Sequence, residues 1–313
     1  MKILFIDTAH SILQSSLEKV GHECVPGFKL SRTEILDVIH EYHGVIIRSR
    51  IQLDREFLDK ATQLKFIGRV GAGMESIDVK YAESKGIACI NSPEGNKDAV
   101  GEHAIGMLLG LFNNLNRADR QVKEGKWIRE ANRGVELSGK TVGLIGHGMM
   151  GSAFAKKLSG FDCNIIAYDK YLHDFSDRYV KDVSMEVIFN ETDILSLHVP
   201  LSHETEFMVN EAFINSFRKN IYVINTARGK CLKTDDLVKN LKSGKVLGAC
   251  LDTIEYEDTS FEAITGFKEH LKDLLEFSDK IIFSPHIAGW TNESKEKLAK
   301  VLGEKIIRKF PVA

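Results

Sequence analysis

The sequence predicts an α/β protein built as two doubly wound, parallel-sheet domains, and three observations carry that prediction. The chain is 313 residues long, more than one ordinary hydrophobic core organises. Short apolar runs rich in Val and Ile alternate with helical stretches, and they do so in two successive series. The second series opens on a strand that runs straight into a glycine-rich turn.

In the first series, residues 3–6, 45–48, 65–70 and 87–90 read as strands, with a weaker strand near Cys24. Several are apolar at consecutive positions, as strands covered on both faces must be. Residues 99–118 read as one long helix, because Val100, Ala104, Met107, Leu108, Leu111 and Leu115 recur at helical spacing. The second series begins at Thr141, with strands at 142–145, 164–168, 194–199, 221–225, 246–251 and 281–283. A last helix is expected over 293–308. No Ser- or Pro-rich linker and no low-complexity segment interrupts the pattern.

Composition removes several function classes. Lys and Arg number 42 against 44 Asp and Glu, a formal net charge of −2, which excludes a strongly basic nucleic-acid binder and a polybasic membrane patch. With 43% hydrophobic and 27% charged residues, wholesale disorder is excluded as well. The N-terminus reaches Asp7 before a signal-peptide core could form. The longest apolar stretch, 104–112, is about half of the ~20 residues a membrane span needs. Cys24, Cys89, Cys163, Cys231 and Cys250 form no C-x-x-C pair, which argues against a disulfide framework and a structural zinc site. The expectation is a soluble cytoplasmic protein without a metal.

The glycine turn carries the first chemistry. Residues Gly146-His147-Gly148-Met149-Met150-Gly151 match G-x-G-x-x-G after a strand and before a helix. Gly146 suits the tight turn, Gly148 lets backbone approach a pyrophosphate, and Gly151 lets the helix pack close. The helix N-terminus then favours the phosphates. Asp169 ends the next strand, where a carboxylate accepts ribose hydroxyls and repels a 2′-phosphate, so NAD is favoured over NADP. Six strands in this half is the count of a complete dinucleotide-binding sheet.

A charged constellation closes the later strands. Asn225-Thr226-Ala227-Arg228-Gly229 ends one, Leu251-Asp252 the next, with Glu257 following, and Ser284-Pro285-His286-Ile287-Ala288-Gly289 a third. Ligands of such sheets bind beyond the carboxyl ends of the strands, so Arg228, Asp252, Glu257 and His286 should converge. Hydride transfer to a ketone needs a proton donor for the oxygen and a cation for a substrate carboxylate; an imidazole beside a carboxylate and an Arg supply both. The histidines at 10, 22, 40, 43, 173, 203 and 270 read as surface residues, and Glu102 and His103 on the long helix receive no chemical role.

Taken together these motifs resemble the D-isomer-specific 2-hydroxyacid dehydrogenase family. Arg69-Val70-Gly71-Ala72-Gly73-Met74-Glu75-Ser76-Ile77-Asp78 is similar to its substrate loop, Asn91-Ser92-Pro93-Glu94-Gly95-Asn96 to its domain crossover, and Gly125-Lys126-Trp127 and His198-Val199-Pro200 fit too. The resemblance spans essentially the whole chain. It implies two Rossmann-like domains with a cleft between them: a discontinuous substrate-binding domain, 1–95 plus 287–313, and an NAD-binding domain, 96–286. It implies that Arg228 anchors the substrate carboxylate, that His286 exchanges the proton, and that Glu257 pairs with His286. Gly146, Gly148, Met149, Met150, Gly151, Asp169, His198, Val199, Pro200, Thr226, Ala227, Asp252 and Gly289 would line the NAD site. Arg48, Ser49, Val70, Gly71, Ala72, Gly73 and Asn96 would meet substrate, the 70–73 stretch through backbone N–H groups. Two departures stand out: Asp258 follows Glu257 where the family usually has proline, and Thr253 replaces the commoner valine.

Within the family, Arg48-Ser49-Arg50 and Gly125-Lys126-Trp127-Ile128-Arg129 resemble the branch that interconverts D-3-phosphoglycerate and 3-phosphohydroxypyruvate in serine biosynthesis, and the expectation is a short form without a C-terminal regulatory domain. Arg48 is the first candidate for the phosphate, ahead of Arg50, Arg129 and Arg133. Siblings acting on hydroxypyruvate, glyoxylate or D-lactate are the alternative, and an NAD-sensing corepressor is the alternative from another class. The partners implied are a small 2-hydroxy or 2-keto acid and a second copy of the chain, with neither nucleic acid nor membrane.

Overall fold

The computed structural model describes residues 1–257 and 267–311. Over those residues the chain forms two compact units, 1–96 with 290–311 and 97–257 with 267–289, each built on one sheet.

The first unit holds β1 (Lys2–Phe5), β2 (Glu23–Pro26), β3 (Gly44–Ile47), β4 (Phe66–Arg69) and β5 (Ala88–Asn91). They are parallel, in the order β2-β1-β3-β4-β5. The consecutive apolar residues divide between two faces. Leu4, Val45, Ile47 and Ile67 enter one core cluster. Ile3, Phe5, Ile46 and Phe66 enter another, with Ala299, Leu302 and Ile306 of the last helix, Asn292–Lys309. Each fully buried Leu or Ile contributes about 1.5–3 kcal/mol relative to exposure, which is why strands sandwiched by helices read as unbroken apolar runs.

The second unit holds β6 (Thr141–Ile145), β7 (Asn164–Tyr168), β8 (Lys181–Asp182), β9 (Ile194–Leu197), β10 (Ile221–Asn225), β11 (Val246–Leu251) and β12 (Ile281–Phe283). All pairings are parallel, in the order β12-β11-β10-β9-β6-β7-β8. The strand order reverses between β6 and β9, the place where doubly wound sheets bind nucleotides. In the first unit the equivalent reversal lies between β1 and β3.

Three expectations need correction. The helix expected over 99–118 is two helices, Lys97–Phe112 and Leu115–Lys123. Asn114 between them has φ +53°, a left-handed conformation that asparagine tolerates, and Asn113 and Asn114 turn their side-chain amides to Leu109 O and Arg133 O. The first helix packs Ala104, Met107, Leu108, Leu111 and Phe112 against the sheet, whereas the second buries none of its residues. The strand β8 was not expected, because two polar residues carry no strand signature. His22 is 4% exposed, not a surface residue, and burial pushes its ring toward the neutral form. Among the described residues, no helix is long and apolar enough to cross a membrane.

Candidate active site

The turn after β6 and the loop after β9 flank the switch point of the second sheet. Gly146 has φ +93°, and a Cβ there would lie 2.6 Å from His198 O; one at Gly151 would lie 2.2 Å from Gly146 O. The glycines therefore let the helix Met149–Leu158 seat directly on the turn. Gly148 is different: a Cβ there meets nothing within 4 Å, and as N-cap it offers no side chain to the first N–H groups of the helix. Those donors point to a ligand with negative charge. Thr226 Oγ1, at the end of β10, is buried with no hydrogen-bond partner. An open glycine shelf, an uncapped helix and an unsatisfied hydroxyl at one sheet end fit the pyrophosphate and polar edges of a dinucleotide.

Asp169 follows β7. Its Oδ2 accepts from His147 N at 2.8 Å, and its Oδ1 from Tyr171 N and Leu172 N at 2.9 and 3.0 Å. Burial works against ionisation, but these three donors outweigh it and hold the carboxyl below its ordinary range. The charge is fixed in place as well as in ionisation. The His198 ring lies against Phe154 and bonds to Ser196 Oγ at 2.9 Å; burial pushes its pKa down to about 3. The neutral ring belongs to the floor of the turn, and Val199 and Pro200 carry the chain outward from it. Met149 is exposed, Met150 half-buried and Ala227 buried.

The expected contact between His286 and Glu257 is present. His286 Nδ1 lies 2.6 Å from Glu257 Oε2, and Glu257 Oε1 accepts from Ile254 N. His286 has φ +54°. The loop around it closes on Asp252, which is 1% exposed: Oδ1 accepts from Ser284 Oγ at 2.6 Å and Ile287 N at 2.9 Å, Oδ2 from Ala288 N at 2.9 Å, and Asp252 O from His286 N at 2.7 Å. Burial again opposes ionisation, and the contacts with His103, Ser284, Ala288 and Ile287 keep the carboxyl low. Arg228 leaves the end of β10 on a turn held by Asn225, whose Nδ2 donates to Arg228 O at 3.0 Å and whose Oδ1 accepts from Ala227 N at 3.1 Å. A Cβ at Gly229 would lie 1.9 Å from Ile254 O, so the Arg228 turn abuts the turn that carries Glu257. Arg228, Glu257, His286 and Asp252 thus share one strand-end cluster. Sequence reading assigned no role to Asn225, Ser284 or His103. Asn225 and Ser284 lie within the strand-end motifs; His103 touches Ser284 across 181 positions, which no local pattern encodes. Among the described residues, no group of three or more His, Cys, Asp or Glu side chains could hold a metal ion. Asp258 lies outside the described residues.

In the first unit, Arg48 leaves β3 at the switch point, its N donating to Asp7 Oδ2 and its guanidinium stacked 4.2 Å from the Trp290 ring centroid. Ser49 follows it, half-buried. Arg50 is committed elsewhere, bonding Ile6 O and Leu30 O and pairing with Asp7, and Arg133 pairs with Glu130. In the loop after β4, Val70 N bonds Ile47 O and Gly71 N bonds Arg69 O, so two of the four backbone N–H groups expected to meet substrate are engaged within the protein. Asn91 Nδ2 braces that loop at Ala72 O, 2.6 Å away. Asn96 Oδ1 is buried without a partner. Gly289 ends the second unit.

Comparison with known proteins agrees with this geometry. The NAD binding domain of the D-isomer specific 2-hydroxyacid dehydrogenases matches residues 105–288. A D-3-phosphoglycerate dehydrogenase of Archaeoglobus fulgidus is 32% identical over 98% of this chain, which spans only 57% of that relative's length. A hydroxypyruvate reductase of Thermotoga maritima is 34% identical over 90% of both chains. The structure of a D-lactate dehydrogenase from Aquifex aeolicus, complexed with NAD and lactic acid, superimposes with a TM-score of 0.81 at 27% identity, covering 99% of this chain and 96% of that one. With the family's NAD binding domain matched over residues 105–288 and relatives of 32% and 34% identity aligned over 90% or more of this chain, the chain belongs to the D-isomer specific 2-hydroxyacid dehydrogenase family.

Proposed function

We propose that the protein catalyses NAD-dependent interconversion of a D-2-hydroxy acid and its 2-keto acid. The observation that carries this reading is the His286–Glu257 pair at 2.6 Å, set beside the Arg228 turn and the dinucleotide shelf. When bound, the reduced nicotinamide supplies the hydride. Arg228 binds the substrate carboxylate and fixes which face of the keto carbon is presented. Glu257 holds the imidazole at Nδ1, which assigns proton exchange with the substrate oxygen to Nε2. Asp169 selects NAD over NADP.

The substrate is 3-phosphohydroxypyruvate, on the strength of Arg48. A phosphorylated keto acid carries a second anion that needs its own cation in a desolvated site. Arg48, which leaves the end of β3 with its guanidinium on the Trp290 ring, is the cation assigned to it. A second reading, reduction of unphosphorylated hydroxypyruvate, is favoured by the Thermotoga relative, which the chain matches over 90% of that protein's length. NADH oxidation with both keto acids decides between them. Arg48→Ala should cost roughly 30- to 150-fold in kcat/KM on the phosphorylated substrate alone, the equivalent of a charge-assisted contact worth about 2–3 kcal/mol. Equal losses on both mean that Arg48 does not read the phosphate; better wild-type activity on hydroxypyruvate selects the second reading.

The assembly is a homodimer. Leu115, Val122, Trp127 and Ile128 are exposed, Trp127 at 81%, on the segment following the long helix. A row of large apolar side chains of this kind is suited to cover by a second copy.

A further inference from the structure

We infer that His103 is a positioning residue for His286, acting through Ser284 and Asp252 on the loop that carries the imidazole. The inference rests on the reading of His286 as the proton-exchanging group. His286 has φ +54°, and a residue with a side chain keeps that conformation only where its surroundings impose it. Here the surroundings are one buried carboxylate. Asp252 gathers Ser284 Oγ, Ile287 N and Ala288 N, donors on both sides of His286 in sequence, while its own carbonyl takes His286 N.

Counting protons then gives a direction to the network. Ionised Asp252 only accepts, and Ser284 has one hydroxyl hydrogen, given to Asp252 Oδ1 at 2.6 Å. His103 Nε2 lies 2.8 Å from Ser284 Oγ, so it must donate and carries the hydrogen. The sulfur of Met107, 3.5 Å from the same oxygen, has no proton to give. His103 therefore stops the Ser284 hydroxyl from rotating and fixes the carboxylate it serves. It does so from the helix Lys97–Phe112, whose Ala104, Met107 and Leu108 are locked in the core. The contact with His103 is also the foremost of those that keep Asp252 ionised against its burial. The arrangement is not that of a nucleophilic serine, because the hydroxyl hydrogen points to the carboxylate and not to the imidazole.

The test compares wild type with His103→Leu, His103→Gln and His103→Asn in the full chain. Hydrogen exchange of the 284–289 segment is read alongside kcat with a 2-keto acid and NADH affinity. His103→Leu removes the donor, and exchange at Ile287 and Ala288 should quicken by ~10-fold or more. Its kcat should fall by a similar ~10-fold, with NADH affinity changed less than ~2-fold. His103→Gln, which keeps a donor of comparable reach, should restore most of both. His103→Asn, polar but shorter, should behave as His103→Leu does, and carries the test if the leucine variant does not fold. Unchanged exchange in the folded Leu or Asn variant overturns the inference. So does a kcat loss matched by lost NADH affinity, or a failure of Gln to rescue. If wild type reduces no 2-keto acid, the functional reading fails, while exchange still decides whether His103 holds the loop.

Discussion

Asp169 makes a quantitative prediction about cofactor choice. Its carboxylate is held by three backbone donors at 2.8–3.0 Å and cannot swing aside to admit a 2′-phosphate. The same donors keep it ionised despite partial burial, so the repulsion persists at any working pH. Two unit charges about 4 Å apart repel by ~4 kcal/mol at an effective dielectric of 20, and salt and solvent at a half-buried site reduce this to roughly 2 kcal/mol. That corresponds to about a thirtyfold preference in kcat/KM for NADH over NADPH. Asp169→Ala should remove most of that ratio, chiefly by admitting NADPH. Steady-state oxidation of both cofactors with one saturating keto acid measures it. Wild type using NADPH as well as NADH, or an Asp169→Ala ratio equal to wild type, would refute the assignment of Asp169 to the ribose.

Other consequences follow from the same structure. Asp252→Asn sets an amide N–H against Ala288 N–H inside a buried cluster and should cost about 3 kcal/mol of stability at neutral pH, read by urea denaturation. Because the folded-state pKa of Asp252 is depressed, its contribution is present above the ordinary value of 3.8 and is lost as pH falls through the lower folded value; the Asn variant should show a flatter acid limb there. Trp127→Glu should convert a dimer into a monomer by light scattering at micromolar concentration without changing the fold; a wild-type monomer would remove the dimer from the account. Glu257→Gln should keep NADH binding while lowering kcat, and a variant with wild-type kcat would remove Glu257 from the catalytic pair.

Much of this was legible in the sequence because the physics involved is local. Strands buried on both faces leave consecutive Val and Ile, as in β3 and β10, and helices leave a spacing of three and four. The glycine turn, Asp169, and the Arg228, Glu257 and His286 positions were visible for the same reason: strand ends of a doubly wound sheet are where its ligands bind. What the sequence hid depends on tertiary context. Leu115 continues the apolar spacing of the long helix, yet Asn114 turns the chain and leaves Leu115 exposed. Nothing local to Arg50 announces that three carbonyls, of Ile6, Gly27 and Leu30, claim its guanidinium. Val70 and Gly71 look like substrate donors until their N–H groups are found spent on Ile47 O and Arg69 O. His103 meets Ser284 only because the long helix packs behind the last strands.

The most direct measurement of the central claim is reduction of a 2-keto acid by NADH with wild type and His286→Asn side by side. Asparagine tolerates the left-handed backbone at 286, so the variant should fold and bind NADH as wild type does. Its amide cannot exchange a proton with the substrate oxygen, and its kcat should fall by ~10²–10⁴-fold. A His286→Asn enzyme that turns over at the wild-type rate would contradict the claim that His286 exchanges the substrate proton.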